Sequence, residues 1–194
     1  MFNEKFGNNN SYKLKDTHFF MEDKPFTLWL TGLPCSGKTS IAKEISTILS
    51  KKGLSLIHLD GDSMRENISS DLGFSIEDRR ENLNRISRVA ELSNKDGKYV
   101  IASFVSPLKE HRDLLRKNIT NIKIVHIDAP LEECINRDVK GMYSKALRGE
   151  IKDFTGISSP FENPKNPELI ICTDKEAVSE SVDKIYNKFF SGFF

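Results

Sequence analysis

The chain has 194 residues, of which 38% are hydrophobic and 29% charged. That length suits one α/β domain that can bury its own core without disulfides. Lysine plus arginine number 29 against 28 aspartates and glutamates, a formal charge of +1 that announces no broad nucleic-acid-binding face. No apolar run is long enough to cross a bilayer, so no membrane span is expected. Residues 1–11 are polar and Asn-rich and lack the apolar centre of a secretory signal, so a cytoplasmic location is expected. Cys35, Cys134 and Cys172 are odd in number and widely spaced, which excludes a CxxC site and fits free thiols in a reducing compartment. His18, His58, His111 and His126 form no HExxH-like pattern, so no protein-ligated transition metal is expected.

Residues 1–24 read as a flexible arm in which Phe19, Phe20 and Met21 could dock locally, and 25–194 as one domain. Residues 26–30 are apolar and β-branched, a buried strand that runs into Gly32–Thr39. The helix predicted over 40–51 repeats Ile41, Ile45, Ile48 and Leu49 at helical spacing and ends at Gly53. A strand over 54–59 delivers Asp60-Gly61-Asp62. Helices follow over 63–69 and 76–96, the second with Asp78 and Glu81 near its start and Gly97 at its end. A third strand covers 98–105 and a helix 108–118. The fourth strand, 122–127, leads through Asp128-Ala129-Pro130 to a helix beginning at Leu131. Residues 140–167, rich in Gly, Pro, Lys and aromatics, read as a long loop or mobile lid. A fifth strand, Leu169–Cys172, and a closing helix over 176–190 complete the chain. Strands alternating with helices imply an α/β fold, a mostly parallel five-stranded sheet with helices on both faces.

Gly32-Leu33-Pro34-Cys35-Ser36-Gly37-Lys38-Thr39 fits GxxxxGK[ST], with a strand before it and an amphipathic helix from Ser40 after it. The glycines let successive amides point at one anion, and the helix N-terminus adds its positive dipole end. Lys38 can reach β- and γ-phosphates, and the Thr39 hydroxyl can ligate Mg²⁺, so ATP is the expected cofactor. Cys35 reads as a small side chain whose amide does the binding, in preference to a redox group. Asp60 and Asp62 stand at the carboxyl end of the second strand, the edge where open parallel sheets bind ligands. One carboxylate could hold Mg²⁺, the other accept a proton from an attacking hydroxyl. Arg65, Arg79, Arg85, Arg88 and Arg112 supply guanidinium groups suited to phosphate-like anions. His111 and His126 read as surface or strand residues. Phe74, Phe154 and Phe161 sit in loops, where aromatics either pack locally or stack on a nucleobase.

Taken in order, these blocks resemble adenylylsulfate (APS) kinase, which phosphorylates the ribose 3′-hydroxyl of adenosine 5′-phosphosulfate to give PAPS. The resemblance runs from Phe26 to about Tyr186. It includes Leu59-Asp60-Gly61-Asp62 with Arg65, Asp71-Leu72-Gly73-Phe74-Ser75 with Asp78-Arg79 and Glu81-Asn82, and Val105-Ser106-Pro107. It continues through Asp128-Ala129-Pro130-Leu131, Arg137-Asp138-Val139-Lys140-Gly141, Gly149-Glu150-Ile151-Lys152, Phe154-Thr155-Gly156-Ile157 and Ser159-Pro160-Phe161-Glu162. The resemblance implies a P-loop NTPase fold and a site in which Asp62 and Lys38 are catalytic. Gly32 to Ser40 and Arg137 would bind ATP. Asp62, Arg65, Phe74, Arg79, Asn82, Val105, Ser106, Lys140, Lys152 and Phe154 would bind the acceptor. In this scheme Phe74 and Phe154 sandwich its base, and Ser106 matches a serine that becomes phosphorylated in some members. Thr39 and Asp60 would hold Mg²⁺. A small-molecule nucleotide is then the partner, with neither nucleic acid nor membrane, and a homodimer is implied.

Three segments depart from the pattern. Leu108 and Lys109 stand where an aromatic or His and an Arg are usual, and Lys cannot reproduce a bidentate Arg contact. Lys145-Ala146-Leu147 replaces Lys-Ala-Arg, with Arg148 one place later, and Pro34-Cys35 replaces Ser-Gly in the phosphate loop. The alternative acceptor is another nucleotide with an unusual 5′ anhydride, such as cytidine diphosphoramidate of capsule modification. A catalytically silent nucleotide-binding module is disfavoured by intact Lys38, Thr39 and Asp62.

Overall fold

The computed structural model describes residues 24–193. The expected arm, Lys24 apart, lies outside the described residues. The strands are β1 (Thr27–Thr31), β2 (Leu56–Asp60), β3 (Tyr99–Ser103), β4 (Ile122–Asp128) and β5 (Leu169–Cys172). The helices are α1 (Lys38–Lys51), α2 (Gly61–Asn67), α3 (Ile76–Lys95), α4 (Lys109–Asn118), α5 (Leu131–Arg137), α6 (Met142–Leu147) and α7 (Val178–Phe189). The sheet runs β2-β3-β1-β4-β5, and every neighbouring pair is parallel.

Side chains alternate across β1 with the period of two that a strand imposes. Leu28 and Leu30 pack on one face with Ile41, Ile45 and Leu49 of α1 and Val182 and Ile185 of α7. Trp29 turns to the other face, with Leu83, Ile86 and Ala90 of α3 and Leu115 of α4. Burying each such side chain contributes roughly 1.5–3 kcal/mol. The helix ends follow their chemistry. Ser75 caps α3 by accepting from the Asp78 amide at 3.0 Å, and Gly53 takes φ +89° just past α1.

The carboxyl ends of all five strands therefore share one edge. The phosphate loop follows β1, Asp60 ends β2, Val105 and Ser106 follow β3, Asp128 ends β4 and Thr173 follows β5. This edge of an open parallel sheet is where ligands bind.

Two expectations are corrected here. The segment 140–167 is not one long loop. It contains α6, whose Tyr143 and Ala146 are buried with Ala129, Cys134 and Phe154 in a third apolar cluster. The Asp138 carboxylate caps this short helix by accepting from the Tyr143 and Ser144 amides at 2.8 and 2.9 Å. Nor is His111 a surface residue, for it is 0% exposed within α4. Among the described residues no helix is long and apolar enough to cross a membrane.

Candidate active site

The phosphate loop is built by close backbone approach. A Cβ on Gly32 would lie 2.2 Å from the Ile127 carbonyl oxygen of β4. Cys35 takes φ +60° within the curl. Gly37 precedes α1, and no side chain caps that helix. From below, the Thr173 hydroxyl donates to the Ser36 carbonyl at 2.8 Å and the Tyr143 hydroxyl to the Pro34 carbonyl at 3.1 Å.

Lys38 is 8% exposed, and its Nζ donates to the carbonyls of Gly32 (3.0 Å) and Leu33 (2.6 Å) and to Ser36 Oγ (3.4 Å). Burial pushes this ammonium down to about 8, and the fields of Asp60 and Asp62 only partly oppose it. Thr39 Oγ1 donates to Asp60 Oδ2 at 2.8 Å, Ser103 Oγ donates to the same oxygen at 2.8 Å, and the Asp62 amide donates to Asp60 Oδ1 at 3.1 Å. Burial raises the Asp60 pKa, but these hydrogen bonds outweigh it and hold the carboxyl below its ordinary value. Thr39 and Asp60 thus present hard oxygens side by side, the donor set Mg²⁺ prefers. Among the described residues no group of three or more His, Cys, Asp or Glu side chains could hold a metal alone. A magnesium ion here would complete its shell with water and phosphate oxygens.

Asp62 lies in the first turn of α2, and Lys140, beyond α5, forms an ion pair with it. The expected ATP-side arginine, Arg137, reaches the base of the phosphate loop. It donates to the carbonyls of Cys35 (3.4 Å) and Thr173 (2.7 Å) and pairs with Glu133 one turn back.

Among the residues expected to meet the acceptor, Arg65 donates to the Gly73 carbonyl at 2.6 Å, and its guanidinium carbon stands 4.4 Å from the Phe74 ring centroid. Arg79 donates to the Phe74 carbonyl and to Thr155 Oγ1, each at 2.8 Å. Asn82 is buried, and its Oδ1 has no protein partner among the described residues. The Val105 carbonyl accepts from Thr31 Oγ1 at 2.7 Å. Ser106 is 2% exposed, takes φ +43° and accepts on Oγ from Trp29 Nε1 at 2.9 Å, so its hydroxyl lies inside the protein. Lys152 is exposed.

The two expected stacking rings differ sharply. Phe74 is 55% exposed, whereas Phe154 is 9% exposed and meets Tyr143 edge-on at 4.9 Å. Phe161 stacks on His126 at 5.8 Å instead. Of the departures, Leu108 precedes α4, Lys109 pairs with Asp113 at 2.5 Å, Leu147 is exposed and Arg148 pairs with Glu150. Residue type alone did not single out Thr155, Asp138, Tyr143 or Thr173. Position could have found Thr173, because it directly follows a strand at the ligand edge.

Known proteins resemble this chain in sequence and in fold. The family model described as adenylylsulphate kinase matches residues 24–172. A probable adenylyl-sulfate kinase of Pseudomonas aeruginosa is 46% identical over 168 residues, 87% of this chain and 78% of its own. The adenylyl-sulfate kinase of Halothermothrix orenii is 47% identical over 162 residues, 84% of this chain and 88% of its own. Among solved structures, the Mycobacterium tuberculosis APS kinase in complex with AMPPNP and APS aligns with a TM-score of 0.83 at 43% identity. That alignment covers 87% of this chain and 99% of that one.

Proposed function

The chain belongs to the adenylylsulphate kinase family, and from that premise we propose that it transfers the γ-phosphoryl group of ATP to the ribose 3′-hydroxyl of adenosine 5′-phosphosulfate. The observation that carries this reading is the double engagement of Asp60. One of its oxygens accepts from Thr39 of the phosphate loop, and the other from the amide of Asp62. A single carboxylate thus fixes the phosphate-binding loop relative to the residue beside the acceptor.

Phosphoryl transfer asks for alignment and charge neutralisation more than covalent help. The amides of the loop take the β- and γ-phosphate oxygens, and Lys38 offsets their charge. Arg137 lies on the ATP side of the loop. Asp62 takes the proton of the 3′-hydroxyl as that oxygen bonds to the γ-phosphorus and the bond to the β-phosphate oxygen breaks, releasing ADP. Lys140 holds Asp62 in place. Mg²⁺, held by Thr39 and Asp60, would supply further neutralisation of the transferring group. Phe74 and Phe154 receive the acceptor base. Arg65, Asn82, Lys152 and the Val105–Ser106 backbone line the rest of the acceptor, and Arg79 stands behind the two rings. The orphaned Asn82 Oδ1 suits a ribose or amino donor, since a buried acceptor left unpaired costs about 1–3 kcal/mol.

The free thiols and the need for ATP fit the cytoplasm. A homodimer accompanies the family reading, and sedimentation tests it.

A coupled ADP assay with a panel of acceptors tests the activity. Turnover is expected with APS and not with cytidine diphosphoramidate. Turnover with the cytidine compound alone overturns the acceptor assignment.

A further inference from the structure

Arg79 reads from sequence as an anion contact, yet its guanidinium is committed to protein. Nε donates to the Phe74 carbonyl at 2.8 Å, Nη1 donates to Thr155 Oγ1 at 2.8 Å, and Nη2 donates to the Asp153 carbonyl. One side chain therefore joins the loop that carries Phe74 to the residues on either side of Phe154, 76 positions away at Thr155.

Both ends of this bridge are stiff. The Phe154 carbonyl accepts from the amides of Ile157, Ser158 and Ser159 at 3.0, 3.0 and 3.1 Å, and the Phe154 amide donates to Ser158 Oγ at 3.0 Å. Asp153 takes φ +56°, and the Phe154 ring leans edge-on against Tyr143. Across the gap, Arg65 lies over the Phe74 ring and binds the Gly73 carbonyl. Thr155 is buried, so its hydroxyl is an interior acceptor aimed at a charged donor. Such hydrogen bonds are among the strong ones. Breaking this one would leave the Asp153 carbonyl as the single remaining Arg79 contact on the Phe154 side, and so loosen the distance between the two rings.

We infer that Thr155 is a positioning residue: by accepting from Arg79 it fixes where Phe154 stands relative to Phe74, and so how tightly the acceptor's nucleobase is held. The inference rests on the acceptor reading above, and it assigns the Arg79–Thr155 contact to the base end of the acceptor and not to its anhydride.

Thr155→Val keeps the shape and removes the acceptor. Loss of a hydrogen bond to a charged group should raise KM for APS about tenfold. KM for ATP and kcat should change much less, since the hydrogen bond removed joins Thr155 to Arg79 and not to the phosphate loop. Thr155→Ser, which restores an oxygen, should recover wild-type KM. Binding of AMP, which has the base but no sulfate, should weaken by the same factor as binding of APS. Wild-type KM in Thr155→Val overturns the inference, as does a Thr155→Ser variant equally impaired, or a loss for APS with none for AMP. If Thr155→Val does not fold, Arg79→Lys decides. It keeps the charge but cannot span three acceptors, and it should weaken AMP and APS equally. A greater loss for APS there places Arg79 on the anhydride. Turnover of APS by the wild-type protein is the control, and its absence would defeat the activity reading separately.

Discussion

Lys140 and Asp62 form an ion pair across 78 positions of sequence, joining the segment beyond α5 to the first turn of α2. Both side chains are largely exposed, so the pair contributes little to stability, and its importance is one of placement. Removing the Asp62 carboxylate should therefore spare the fold and damage the chemistry. In Asp62→Asn, kcat should fall by about 10²–10⁴, the usual worth of a positioned base. KM for ATP and the melting temperature should change little. Steady-state kinetics with thermal melts check this, and an unchanged kcat removes Asp62 from the mechanism.

The two ends of the phosphate loop separate crowding from conformation. Gly32→Ala puts a Cβ 2.2 Å from a backbone oxygen of β4, which cannot move aside without disturbing the sheet. Destabilisation of about 3 kcal/mol is expected from such overpacking. At Gly37 the nearest atom is Thr173 Cγ2 at 3.6 Å, so space is available, and only the φ of +98° opposes a side chain. That strain should amount to about 1–2 kcal/mol. Denaturant unfolding of both variants should rank Gly32→Ala as the more damaged, and the reverse order contradicts the geometry.

Histidine burial predicts an acid-sensitive fold. Burial, chiefly, lowers the pKa of His58, His111 and His126. For His111, Glu110 and the Ile76 backbone partly oppose this, and the charges of Arg79 and Arg112 add to it. Near pH 6.5 the unfolded chain then binds more protons than the folded one. Stability is fully present above that pH and declines below it, by up to about 1.4 kcal/mol per pH unit for each histidine. Melting temperature should fall between pH 7.5 and 5.5, and less steeply in His111→Leu. Equal slopes in the two proteins would rule out a contribution from His111.

Thr39 should govern metal demand. Thr39→Val removes the hydroxyl that meets Asp60, while Thr39→Ser keeps it. The Mg²⁺ concentration for half-maximal rate should rise at least about tenfold in the first variant and little in the second. A Mg²⁺ titration in which Thr39→Val matches the wild type would separate Thr39 from the metal.

Much of this architecture could be read from the residues. Leu169–Cys172 is observed with its expected bounds, and α3 ends within one residue of expectation, because an apolar strand and a well-capped amphipathic helix announce themselves locally. The phosphate loop was equally plain, since its chemistry is carried by contiguous residues. The packing of 140–167 was not. Its six-residue α6 is too short to show a period, and its cap, Asp138, comes before it and out of the usual spacing. Long-range contacts were hidden for the same reason. Nothing near His111 in sequence signals its burial between α3 and α4. Nothing near Arg79 signals that Thr155 waits 76 positions on.

The most direct measurement follows the phosphorus atom itself. With γ-labelled ATP, APS and Mg²⁺, the label should appear on the ribose 3′ oxygen of the product, read by phosphorus NMR, and Lys38→Ala should transfer almost none. Label recovered only as inorganic phosphate, or on any oxygen other than the 3′, would contradict the account.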